Sequence, residues 1–158
     1  MSGLSKALVL AALSTLPLSL LAADTPAEDQ KIINAKEIQW GDAPPSLPKG
    51  AKIAVLHGDP GKEGPFTLRL KVPAGYKIPP HWHTQNENLT VISGTFYLGM
   101  GDKADPKQAK ALGAGGFHFL PGKVHHYAFA KAPAVVQVTG TGPFDINYIN
   151  PADNPEKK

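Results

Sequence analysis

Two histidines one residue apart, followed four residues later by a glutamate, lie in the stretch "GYKIPPHWHTQNENLTVISG", Gly75 to Gly94. In an extended chain residues i and i+2 point to the same side, so His81 and His83 face together and Trp82 turns the other way. Glu87 follows the loop "TQN", where the chain can turn and bring its carboxylate back to the same point. Two neutral imidazoles and a carboxylate suit borderline divalent ions such as Fe, Mn, Co, Ni, Cu or Zn. Pro79 and Pro80 stiffen the approach and lower the entropy lost in ordering the ligands. The chain has no cysteine. Disulfides, thiolate metal sites and thiol nucleophiles are therefore excluded, and a metal must be held by His, carboxylate or neutral oxygen.

The elements around these residues read as β-structure. "PFTLRLKVP" alternates, with Phe66, Leu68, Leu70 and Val72 on one face and Thr67, Arg69 and Lys71 on the other, the period of a half-buried strand. "AKIAVLHGD" before it, "ENLTVISGTFYLGM" after the histidines, "GGFHFLPGKVHHYAFA" and "AVVQVTGTG" read as further strands. "GDAPPSLPKG" (41–50) reads as a loop and "GDKADPKQ" (101–108) as a hairpin-like connection. "KIINAKEIQW" (31–40) is an expected edge strand, and "FDINYINPADNPEKK" a last strand with a polar tail. No segment beyond the N-terminal region shows a sustained helical period. About eight short strands between Gly/Pro turns predict an all-β closed barrel or double-sheet jelly roll. At 158 residues the chain has room for a single core.

The run Gly75, His81, His83, Glu87, Gly94 resembles the first motif of the cupin superfamily, with the family's spacing throughout. The family's second motif has a glycine, five residues, a proline, and a histidine five residues further on, which Gly115, Pro121 and His126 match. The resemblance implies a small cupin β-barrel with one divalent transition metal (Fe, Mn, Cu, Ni or Zn) on His81, His83, Glu87 and His126. A departure lies near Gly122. The family usually has glycine two places after the proline, where this chain has Lys123, and this leaves His125 as a rival ligand. Strand parity puts His126 with Ala128 and Ala130, small residues that leave room for a ligand, and His125 with Tyr127 and Phe129. Spacing and parity together favour His126. The likeness runs from about Trp40 to the tail and is to small exported single-domain cupins.

Further candidates are weaker. His118 is a candidate for orienting a ligand, and His125, Gln85, Tyr97 and Tyr127 for lining the pocket. Asn86 and Tyr148 are similarly placed. For the tyrosines the plain alternative is strand packing. Arg69 lies opposite the apolar face, which favours an exposed position over a carboxylate clamp, and His57 reads as a strand-end residue.

Three histidines and a glutamate leave two positions on an octahedral ion. Cupins include dioxygenases, oxalate decarboxylases and sugar isomerases. A metal-dependent dioxygenase-type oxidoreductase on a small organic substrate is the leading expectation, because no clear general base stands apart from Glu87. A metal-dependent isomerase, decarboxylase or lyase, and a non-catalytic ligand- or metal-binding module, are the competing classes.

The N-terminus has Lys6 ahead of "ALVLAALSTLPLSLLAA", about 17 apolar residues broken by Pro17, short for a membrane span. It reads as a cleaved signal over residues 1–23, with a linker at 24–30, the barrel at 31–150 and a polar tail at 151–158. The expected location is periplasmic or secreted, with no membrane span after cleavage. Lys6 stands without paired arginines, so export before folding is expected, with metal taken up outside the cytoplasm. The net charge of +3 is small and the basic residues are scattered, which argues against nucleic acid. A small-molecule ligand is the expected partner. A homodimer is expected as well, paired through the edge segment 31–40.

Overall fold

A computed structural model describes residues 30–157. The expected signal peptide and most of the linker lie outside the described residues. The chain divides into two units after Ile32, and every strand among the described residues belongs to the second. There are eleven: β1 (Gly41–Asp42), β2 (Lys52–His57), β3 (Gly64–Val72), β4 (Lys77–Trp82), β5 (Glu87–Ser93), β6 (Thr95–Met100), β7 (Lys110–Gly113), β8 (Phe117–Leu120), β9 (His126–Phe129), β10 (Ala134–Gly142) and β11 (Asn147–Tyr148).

They form two antiparallel sheets, ordered β1-β2-β3-β10-β5-β8 and β11-β4-β9-β6-β7. This is the jelly-roll barrel expected from the turn spacing. β3 and β10 pair in register from Val72↔Ala134 to Gly64↔Gly142, and their inward residues build the core. Phe66, Leu68, Leu70 and Val72 from β3 and Val136 and Val138 from β10 are buried with Leu89 and Val91 of β5 and Phe96 and Leu98 of β6. The outward set of β3 pairs across the sheet surface, where Arg69 Nε donates to Gln137 Oε1 at 3.0 Å. Arg69 therefore has its partner on the outer face, away from the barrel interior.

Two turns bracket the histidine segment. Gly75 and Gly94 both take left-handed backbone angles, φ 77° and 76°. At Gly94 a Cβ would also come within 2.5 Å of the Pro133 carbonyl oxygen, so chain approach and conformation both require glycine there.

Two expectations need correction. The segment 31–40 is not an edge strand: it is irregular, with a single 3₁₀ turn at Ala35–Glu37. Asn34 and Glu37 explain this, since the Asn34 N–H donates to the Glu37 carboxylate at 2.7 Å and closes a capping box. The reason for dimer pairing through this segment goes with it. The loop 41–50 begins with the two residues of β1, which pair with β2. Among the described residues no helix is long and apolar enough to cross a membrane.

Candidate metal centre

β4 and β9 are adjacent antiparallel strands, and His81 lies directly opposite His126. Opposed residues share a face, so both rings enter the barrel, with centroids 4.0 Å apart. The register shifts between Ile78 and His81, where Pro79 and Pro80 have no N–H to give to the ladder. His83 follows the end of β4, and its ring comes within 5.1 Å of His126 and 4.9 Å of His81. Glu87 is the first residue of β5, in the opposite sheet. One ligand atom from each of His81, His83 and His126 lies within 4.8 Å of the others. A Glu87 carboxylate oxygen stands 3.8 Å from Nε2 of both His83 and His126. All four side chains are buried.

The hydrogen bonds decide which nitrogens are free to act as ligands. His81 Nδ1 meets the Pro79 carbonyl at 2.7 Å, His83 Nδ1 the Asp145 carbonyl at 2.6 Å, and His126 Nδ1 the Val124 carbonyl at 3.1 Å. A carbonyl oxygen only accepts, so each Nδ1 carries a proton, and Nε2 is the nitrogen of each ring left to offer a lone pair. Burial pushes the His81 imidazole well below its ordinary pKa, with the neighbouring His126 and His83 adding to the effect. Burial likewise brings His126 down to about 4. The same burial raises the Glu87 carboxyl, and His83 opposes that shift. Neutral, oriented imidazoles beside an acid are the donor set a borderline divalent ion takes, and the residues present fit such an ion.

These shifts set a pH dependence for the metal-free protein. Between about pH 6.5 and 4 the unfolded chain protonates imidazoles that the folded barrel keeps neutral, so stability falls as pH drops through that window. Glu87 works the other way, because the folded state holds its proton at a higher pH than the unfolded chain. Two histidines against one glutamate leave a net loss on acidification. Chelator-treated protein unfolded in denaturant at stepped pH is expected to show its midpoint falling from pH 7 toward pH 4. A flat or rising midpoint would contradict it.

The loop bearing His83 is held from two sides. On one side, the Lys123 N–H donates to the His83 carbonyl at 2.7 Å and the Gly122 N–H to Asn86 Oδ1 at 2.8 Å. A Cβ on Gly122 would sit 2.5 Å from the Thr84 carbonyl oxygen, so glycine here allows close approach. Lys123 has φ 66°. The position where the cupin pattern has glycine is thus the left-handed one, and this chain fills it with lysine. Lys123→Gly is expected to stabilise the fold by up to about 1 kcal/mol, read from denaturant unfolding. Lower stability would mean that the lysine side chain contributes more than its backbone strain costs. On the other side, Asp145 accepts from the Thr84 N–H and hydroxyl, both at 2.7 Å, and from Asn147 Nδ2 at 2.8 Å. Phe144 stacks on the His83 ring at 4.5 Å.

The other candidates fall in different places. His125 faces outward and bonds Asp102 at 2.6 Å. Tyr97 stacks on Phe129 under Lys131, away from the histidines. Tyr127 donates to the Asp105 carbonyl at 2.6 Å and lines a separate hollow of about 700 Å³, which none of the four candidate ligands lines. Gln85 is half-exposed in the ligand loop and is not among the residues lining the cavity beside the histidines. His118 lies on β8 opposite Leu89, with Nε2 buried and lacking a hydrogen-bond partner. Tyr148 stands 6.0 Å from the His81 ring, and its hydroxyl donates to the Ser46 carbonyl. Asp145 and Phe144 were not singled out in the sequence. Their only signal there is an acid inside the largely apolar "PFDINYI".

A cavity of about 480 Å³ opens beside His81, His83 and Glu87, walled by β2, β3 and the segments 44–47 and 144–146.

Comparison with known proteins agrees with this architecture. The polyketide cyclase RemF from Streptomyces resistomycificus has 16% identity and a TM-score of 0.67, over 82% of this chain and 92% of that one. A protein assigned as an acetylacetone dioxygenase, from Methylibium petroleiphilum, has 16% identity and a TM-score of 0.60, over 81% and 86%. An RmlC-like cupin from Shewanella frigidimarina has 18% identity and a TM-score of 0.56, over 72% and 91%. At such identities the likeness establishes the fold. No curated protein sequence matches the chain. The model of a family described as a domain of unknown function, DUF4437, matches residues 21–146. That match spans well over half of the chain, so the protein belongs to the DUF4437 family, and its fold is that of the cupins.

Proposed function

We propose that this cupin is an exported, metal-dependent enzyme that oxidises a small organic substrate with dioxygen. The observation that carries the proposal is the convergence of three Nε2 lone pairs, each fixed by a carbonyl on the far nitrogen, with His81 and His83 lining a cavity of about 480 Å³. His81, His83, His126 and Glu87 would hold the ion, which would supply Lewis-acid and one-electron chemistry there. The cavity walls are largely apolar, and the cavity is of the size that takes small organic ligands. Proton transfer has little support from the chain. Glu87 is assigned to the ion, and the Asp145 carboxylate is occupied by Thr84 and Asn147. That favours redox over hydrolytic chemistry. The likeness to a protein assigned as an acetylacetone dioxygenase supports the same reading.

Export would favour copper or zinc by the Irving–Williams order outside the cytoplasm's metal buffering, and of these two only copper serves the redox reading. The test is metal content by mass spectrometry on mature protein from its exported compartment, followed by oxygen uptake. Near-stoichiometric iron, copper, manganese or nickel with uptake on a small organic substrate is expected. Zinc alone, or no metal, would replace the enzyme with a binding or structural barrel.

A further inference from the structure

We infer that the cavity beside the histidines selects a neutral, largely apolar molecule that presents a single acidic oxygen to the metal end. The inference rests on the metal reading above and goes beyond it to the substrate class.

The cavity is mostly apolar, with its polar lining at the histidine head, at Asp145 and at Ser46 of the covering loop. Leu47, Ile53, Leu68, Leu70, Phe144 and Ile146 supply its walls, and His81, His83 and Glu87 its head. Among the described residues lining it there is no lysine or arginine. Lys62, next to the lining residue Gly61, is exposed and paired with Asp59 at 3.1 Å. Two tyrosine hydroxyls nearby are turned to the covering loop. Tyr76 donates to the Pro48 carbonyl and Tyr148 to the Ser46 carbonyl, each at 2.8 Å. They fasten the loop that carries Leu47. Asp145, the one charged lining residue apart from Glu87, is an anion with its donors already in place.

Charge arithmetic narrows the class further. Three neutral imidazoles, one carboxylate and a divalent ion leave a single positive charge, which one ionised enol or phenol oxygen balances. A second anionic group on the same ligand would be buried among aliphatic side chains with no cation to meet it, and near Asp145. That burial is costly. Dicarboxylates, sugar acids and phosphate esters are thereby disfavoured.

The test compares two probes on the metal-loaded mature protein by calorimetry. One is ortho-hydroxyacetophenone; the other is the same molecule with a carboxylate on the ring, opposite the ketone. The neutral probe is expected to bind at least about tenfold more tightly. Leu47→Arg, on the covering loop, is expected to narrow or reverse that preference. Equal or tighter binding of the carboxylate by the native chain would overturn the inference. So would a preference that Leu47→Arg leaves unchanged, because the probe would then lie elsewhere. Metal content measured on the same sample separates the two claims. A metal-free preparation sinks the metal reading and this inference together, whereas a loaded protein that prefers the carboxylate sinks the inference alone.

Discussion

Alanine at position 126 is expected to lower metal affinity by at least about 100-fold, while alanine at 125 leaves it nearly unchanged. His126 projects between the sheets opposite His81, with Nδ1 on the Val124 carbonyl and Nε2 toward Glu87. Removing it takes one of three convergent lone pairs and opens a gap in the barrel wall. His125 points the other way, and its substitution breaks a half-exposed contact with Asp102. Pairs of that kind contribute roughly 0–1 kcal/mol to stability and nothing to the ion. Competition titration with a colorimetric chelator measures both variants. A larger loss at 125 than at 126 would reverse the ligand assignment. Equal, small losses at both would mean that the three rings pack as core and hold no ion. Because alanine also removes ring volume, His126→Gln is the companion variant: it fills the space, offers a poor ligand, and should lose metal as alanine does.

Much of this site could be read from the chain because its logic is local. The i, i+2 parity that puts His81 and His83 on one face needs only an extended backbone. The alternation of β3 similarly divided Phe66, Leu68, Leu70 and Val72 from Arg69 before any partner strand was known. What escaped the sequence is what backbone atoms do at a distance. The carbonyls of Pro79, Val124 and Asp145 fix the three ring tautomers, yet every residue has a carbonyl, so composition carries no trace of which ones serve. Lys123 read as an irregularity in the second motif. Only the backbone angle shows that the irregular residue keeps the conformation of the glycine it replaces. The segment 31–40 misled for the opposite reason: its apolar residues suggested a strand, while a local capping box between Asn34 and Glu37 provided a competing use for the backbone.

Asp145 is where the distance effect has its largest expected consequence after the ligands themselves. Its main-chain carbonyl holds His83 Nδ1, and its side chain grips Thr84, the next residue, by both N–H and hydroxyl. One residue therefore fixes the ring and the backbone beside it, with Phe144 stacked on the same ring. Burial alone would raise the Asp145 carboxyl, but the hydrogen bonds from Thr84 and Asn147 outweigh it and keep the group below its ordinary pKa, hence ionised at neutral pH. Asp145→Ala keeps the carbonyl yet frees its position, and is expected to weaken metal binding about 10- to 100-fold. Asp145→Asn retains one acceptor oxygen and should fall between the alanine variant and the native chain. A general loosening of the fold would lower thermal stability without a matching change in affinity. The discriminating measurement is therefore the metal dissociation constant beside the melting temperature of the metal-free protein. A variant that melts earlier but binds metal as the native chain does would confine Asp145 to holding the loop. Weaker binding with a graded alanine-to-asparagine series would make it the residue that positions His83.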